Sequence, residues 1–198
     1  PKFERKGEHV ALTASDEYAI NEGFLSSSEG IHAPQRAYRQ HIQERQVSHS
    51  TGKYSSVTGR NTFLVGPLAR INMNFDRLSD DAWEAARSSG FRVPSFNPFC
   101  SPLARAVEVV HCIDECAELL ETLPYGEAEK PVEVKAGEGF AITEAPRGIN
   151  YHNYALDRGG VVTRADIVPP TCQNYSSIEA DLWEYVPKVL DLPNEEIA

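Results

Sequence analysis

Arg147 stands between Pro146 and Gly148 in the run Glu144-Ala145-Pro146-Arg147-Gly148, and the run Pro169-Pro170-Thr171-Cys172-Gln173-Asn174 follows downstream. Proline stiffens the backbone on one side of the arginine and glycine frees it on the other. Such a setting suits a guanidinium that must be held at a fixed spot. A guanidinium keeps its proton at any ordinary pH, so its chemistry is electrostatic stabilisation and positioning rather than base catalysis. On the residues alone, a surface arginine after a proline turn is the simpler reading. His152 follows five residues later. Its alternating place in a strand favours an orienting hydrogen bond over ligation.

The four cysteines, Cys100, Cys112, Cys116 and Cys172, show neither a CxxC pair nor a Cys/His zinc spacing. They read as buried thiols in a reducing cytosol. Cys112 and Cys116 fall in the apolar arc of a helix, where packing explains them. His41, His49 and His111 lack converging partners and receive no role. Asp80-Asp81 and Glu195-Glu196 read as helix-start and tail charges.

The elements that must position these residues form an α+β pattern: one long buried helix plus antiparallel strands. Residues 8–27 alternate loosely and read as short strands ending in a Ser-rich loop. Tyr38 to Val47 reads as a short helix or an edge strand. Asn61 to Arg70 reads as a strand broken by Gly66-Pro67. Ser79 followed by Asp80-Asp81 is an N-cap with first-turn acids, opening a helix that stops near Gly90. Asn97 caps a helix over 98–123, with Pro98 at its first position.

On a helical wheel, Leu103, Ala106, Val107, Val110, Ile113, Ala117 and Leu120 share one side, with Val109, Cys112, Cys116, Leu119 and Leu123 adjoining. Glu108, Asp114, Glu115, Glu118 and Glu121 take the remainder. So wide an apolar arc predicts a core larger than these residues supply. Arg105 lies inside it, which predicts a buried guanidinium paired with a carboxylate or carbonyls. After a Pro124–Pro131 linker, Phe140–Thr143, Ile149–Leu156 and Val161–Val168 read as strands. Asp157-Arg158-Gly159-Gly160 is a hairpin turn whose glycines supply positive φ. A last helix is expected from about Tyr175 to Leu190, capped near Asn174. One domain over 1–198 is expected, mixed strand and loop over 1–75, helical over 76–123, a β-hairpin segment over 131–170, and helix with tail over 174–198.

The chain has 198 residues, 41% of them hydrophobic and 24% charged, an ordinary balance for a globular protein. With 29 acidic against 19 basic residues and a net charge of −10, it lacks the clustered Lys and Arg that nucleic acid or an anionic membrane would need. No run approaches the ~20 apolar residues of a membrane span, so no membrane insertion is expected.

The two runs around Arg147 and Thr171, in this order, resemble the C-terminal half of the large (alpha) subunit of nickel–iron hydrogenases. Val65-Gly66-Pro67-Leu68-Ala69-Arg70 and Asn97-Pro98 with Ala104-Arg105-Ala106-Val107-Glu108 look like further signatures of that family. His152 recurs in its pattern. The Pro-Thr-x-x-Asn ending looks like the cytoplasmic, cofactor-reducing branch. The family holds its metals with one CxxC pair near each end, and this sequence has neither. The resemblance therefore covers the subunit's interior, between the two pairs.

The resemblance implies reversible H2 oxidation by the parent protein, with electrons leaving through an iron–sulfur small subunit to further electron-transfer subunits. It implies a Ni–Fe centre carrying cyanide and carbon monoxide there, and no cofactor or metal ligand in this chain alone, which would be inactive by itself. Arg147 would be the catalytic outer-sphere residue. Pro146, Arg147 and Thr171 would contact the cofactor, since anionic cyanides in a dry pocket need hydrogen-bond donors. A second reading is a metal-free relative of the fold, a complex I type subunit serving quinone binding and assembly. A third is an inert scaffold fragment.

Overall fold

A computed structural model describes residues 2–123, 126 and 133–193. The elements in chain order are β1 (Glu8–Thr13), β2 (Phe24–Ser27), β3 (His32–Pro34), α1 (Tyr38–His41), β4 (Ile42–Arg45), β5 (Tyr54–Val57), β6 (Phe63–Leu64), α2 (Pro67–Asn74), α3 (Asp80–Ser88), α4 (Ser101–Thr122), β7 (Gly137–Ala145), β8 (Gly148–Leu156), β9 (Val162–Val168) and α5 (Pro170–Val189). The strands form a four-stranded sheet in the order β3-β2-β1-β6, a β4-β5 pair and a three-stranded sheet β7-β8-β9. Among these described strands, only β1–β6 is a parallel pair. The class is α+β, as expected.

The first core lies between the sheets. Leu12 and Leu25 meet Ile142, Ile149 and Tyr151 there, and the Tyr38 ring stacks on Tyr151 with centroids 4.2 Å apart. The second core packs Leu68 and Ile71 of α2 against Ala82 and Ala86 of α3 and Ala104 and Val107 of α4. Small residues on α3 and α4 let these helices approach closely. Ser79 caps α3 by accepting from the Ala82 N–H, a bond worth about 1 kcal/mol. The same serine joins α3 to α4: its backbone N–H donates to His111 Nδ1 at 3.1 Å and its hydroxyl to Asp114 at 2.5 Å.

Several local expectations are corrected. Gly66-Pro67 does not interrupt a strand; it ends β6 and starts α2, with Pro67 at the first helical position. α1 and β4 divide the Tyr38–Val47 segment between helix and strand. α5 begins at Pro170, so Asn174 is inside the helix rather than its cap. In the β8–β9 turn only Gly160 takes positive φ, and Asp157 Oδ1 accepts from the Gly159 and Val161 N–H groups. Most of the Pro124–Pro131 linker and Glu195-Glu196 lie outside the described residues.

α4 departs furthest from its wheel. Its buried residues are Ala104, Val107, Glu108 and His111. Glu108, assigned to a solvated face by the wheel, is buried. Ile113 and Leu120, assigned to the core, are 63% and 81% exposed. Arg105 is exposed as well, so its expected burial is corrected. The cysteines are not buried either: Cys112 and Cys116 are exposed, and Cys100 and Cys172 are half-buried.

Candidate functional site

The β7–β8 hairpin pairs Ala145 with Gly148, leaving Pro146 and Arg147 as the entire turn. Gly148 has φ +123°, and a Cβ there would fall 2.4 Å from Val65 Cγ2. Glycine is thus required both by conformation and by space. Across the gap, Gly66 at φ +107° faces the Arg147 carbonyl, which a Cβ would approach to 2.9 Å. The loop before α2 and the Arg147 turn therefore pack backbone against backbone.

The first turns of α5 close the third side. Asn174 Oδ1 accepts from the Val65 N–H at 2.9 Å, and its Nδ2 donates to Val65 O at 3.2 Å and Arg147 O at 3.3 Å. Fully buried Gln173 donates to Ile149 O at 2.6 Å. Thr171 sits in the same helical turn. Arg147 and Thr171 consequently line one cavity of about 320 Å³, together with Ser101, Arg105 and Asp181. Among the described residues, the Arg147 and Arg105 guanidinium groups and the Thr171 hydroxyl have no hydrogen-bond or ion-pair partner.

On the other side of the turn lies a buried ionic cluster. Arg70 Nε and Nη2 donate to Glu108 Oε1 and Oε2 at 2.6 and 2.8 Å. Its Nη1 donates to Glu144 Oε2 at 2.9 Å and Ala145 O at 2.8 Å. Tyr18 donates its phenol proton to Glu108 Oε1 at 2.6 Å, and the Leu12 N–H donates to Glu144 Oε1 at 2.9 Å. Every charged oxygen is thus met, the condition under which buried charges are tolerated.

Burial pushes the Glu144 carboxyl up, against the opposing pull of Arg70 and the Leu12 N–H. Burial beside Glu108 pushes the Tyr18 phenol well above its usual range, so it stays protonated and donates. The two carboxylates hold the Arg70 guanidinium above its ordinary value despite its burial.

This cluster floors a second, more apolar cavity of about 690 Å³, walled by Ile20, Val109, Ile113, Leu120 and Pro146. Pro146 faces this space while Arg147 and Thr171 face the smaller one; Arg105 reaches both. His152 lines neither, and its Nδ1 is 2.7 Å from the Tyr154 hydroxyl on the same strand face. No group of three or more His, Cys, Asp or Glu suited to a metal occurs among the described residues. Partial desolvation raises the Cys112 and Cys172 thiols, so neither is an activated thiolate.

No protein-family model matches the chain. The alpha chain of sulfhydrogenase 1 from Pyrococcus furiosus is 36% identical over 175 residues, covering 86% of this chain and 40% of that protein. A component of the vhu F420-non-reducing hydrogenase of Methanococcus voltae is 33% identical over 151 residues, covering 72% and 36%. Among solved structures, an NAD+-reducing nickel–iron hydrogenase in its H2-reduced state superposes with a TM-score of 0.79 at 22% identity, over 91% of this chain and 43% of that one. This chain belongs to the nickel–iron hydrogenase large subunits. It spans well under half the length of these relatives.

In this hydrogenase segment the cavity lining offers donor types that an anionic cofactor needs: Arg105, Arg147 and Thr171, whose side chains have no partner among the described residues, beside an Asp181 carboxylate already paired with Arg5. They do not form a set of metal ligands. No helix among the described residues is long and apolar enough to cross a membrane. The sequence alone did not single out Tyr18, Arg70, Glu108 and Glu144 as one cluster, nor Asn174 as a brace. The signal that could have found them is that Arg70, Glu108 and Glu144 each stand in a run that resembles the hydrogenase family.

Proposed function

We propose that this chain is the part of a nickel–iron hydrogenase large subunit that lends outer-sphere donors to the Ni–Fe centre, in an enzyme catalysing H2 ⇌ 2H+ + 2e−. The observation that carries this reading is that Arg147 and Thr171 share one cavity with their donor atoms unpartnered. When bound, the centre would supply the Lewis-acid and redox chemistry that dihydrogen, without charge or dipole, requires.

The chain's own residues would do the rest. Arg147 offers a permanent positive charge and a planar set of donors from a turn with no slack. Pro146 shapes that turn, and the Arg147 N–H is a further backbone donor. Thr171 offers one hydroxyl proton to a cyanide. The metal ligands come from other parts of the full-length protein. The enzyme is cytoplasmic, and its electrons leave through an iron–sulfur small subunit to further electron-transfer subunits.

The test is Arg147→Lys in the full-length enzyme with its partner subunits. Lysine keeps the charge and loses the planar fork, so H2 oxidation is expected to fall about 100-fold or more. The infrared bands of the cyanide ligands should persist, and Thr171→Val should move one of them. Undiminished H2 oxidation in Arg147→Lys would overturn the reading.

A further inference from the structure

Asn174 touches both halves of the site without facing its cavity with a free donor. We propose that Asn174 is a positioning residue that fixes the Arg147 turn against the helix carrying Thr171, so that the two donors keep a set separation; this rests on the outer-sphere reading above. The geometry is specific. One amide uses its oxygen on the Val65 N–H and its two amide protons on the Val65 and Arg147 carbonyls, at 2.9, 3.2 and 3.3 Å. All its hydrogen-bonding capacity on that side spans from α5 to the two loops.

Those loops cannot relax toward one another, because Gly66 and Gly148 already bring their backbones to hard contact. Gln173, the preceding residue, grips Ile149 O, so two consecutive α5 side chains hold the strand on both sides of Gly148. Arg70 secures the entry to the turn through Ala145 O. The exit depends on Asn174. A carboxylate at this position would still accept from Val65 N–H, but would set a negative oxygen against two carbonyl oxygens, forcing the Arg147 turn away from α5.

Asn174→Asp in the full-length enzyme is expected to lower kcat about tenfold or more with KM for H2 little changed, because small misplacements of an oriented group cost rate rather than binding. Its cyanide bands should persist, as in Arg147→Lys, showing that the centre is still assembled. In an Arg147→Lys background, Asn174→Asp should cost much less than it does alone, since the group it positions is already lost. Equal losses in both backgrounds, or an unchanged kcat in Asn174→Asp, would overturn the proposal.

If Asn174→Asp fails to fold, Asn174→Ser, which removes the amide without adding charge, is read by the same criteria. Hydrogen exchange separates this idea from the outer-sphere reading. The Val65 amide should exchange faster in Asn174→Ser whatever Arg147 does in catalysis, and retained protection there would sink the clamp alone.

Discussion

Arg70 and Glu108 form a two-point ion pair in which both residues are almost fully buried, with Nε–Oε1 at 2.6 Å and Nη2–Oε2 at 2.8 Å. The pair joins α2 to α4, and through Glu144 and Ala145 it reaches the strand that ends at the Arg147 turn. Removing one partner leaves a buried charge uncompensated. Arg70→Met is therefore expected to destabilise the full-length protein by about 3–5 kcal/mol. Denaturant unfolding checks this; a loss below about 1 kcal/mol would contradict the cluster's integrity.

Stability is expected to fall in mild acid. His9 is buried between Asn72 and the Phe96 ring, and burial with nearby Arg5 lowers its pKa from 6.5 to about 4. Burial lowers His111 as well. The folded chain keeps these rings neutral, whereas the unfolded chain takes up protons below pH 6.5. Their contribution is complete above pH 6.5 and, for His9, is lost as pH falls to about 4, a change of roughly 3 kcal/mol. Unfolding curves across that range should show the slope, and His9→Gln should flatten part of it.

Gly148→Ala tests the backbone contact beneath the site. Alanine at φ +123° is strained, and its methyl would collide with Val65. A loss of at least about 2 kcal/mol is expected. Gly30, at φ +97° with open space around its Cβ position, is the comparison. Gly30→Ala should cost less, because it bears the strain without the collision.

The isolated chain should self-associate as its concentration rises. Leu120 and Trp183 are 81% and 75% exposed, and Ile113 and Leu182 add further apolar surface. Leu120→Glu with Trp183→Glu should shift sedimentation toward the monomer without changing the far-ultraviolet dichroism.

What the sequence disclosed followed from local rules. The Ser79 cap, the Asn97 cap on the short 3-10 turn Pro98–Cys100 that leads into α4, and the β8–β9 hairpin are each set by a few adjacent residues. The polar interior was not legible in that way, because Tyr18, Arg70, Glu108 and Glu144 come from four distant segments. Glu108 read as solvated because the apolar wheel of α4 placed Ile113 and Leu120 inward. The buried side is instead chosen by what α2 and α3 present to it: a guanidinium and small side chains. For the same reason Asn174 read as a cap. Its actual partners, Val65 and Arg147, are distant in sequence. Arg147 and Thr171 were named through the family resemblance, and their shared cavity needed the fold to become visible.

The bonds from Asn174 to Val65 span 109 residues, and Arg5 joins Asp181 and Ser177 across a still longer separation. During synthesis, a chain released from its N-terminus can complete the β1–β2 hairpin and the α2–α3–α4 core early. The Arg147 turn would then wait, held by Arg70 and its packing on the Val65–Gly66 loop but without its Asn174 bond, until α5 had emerged and docked. Contacts of such long range form late. The donors around the cavity would acquire their fixed spacing in one of the last steps of folding. Any machinery that fills the site would meet it either as a loose turn or as a finished cradle, depending on whether it acts before or after that moment.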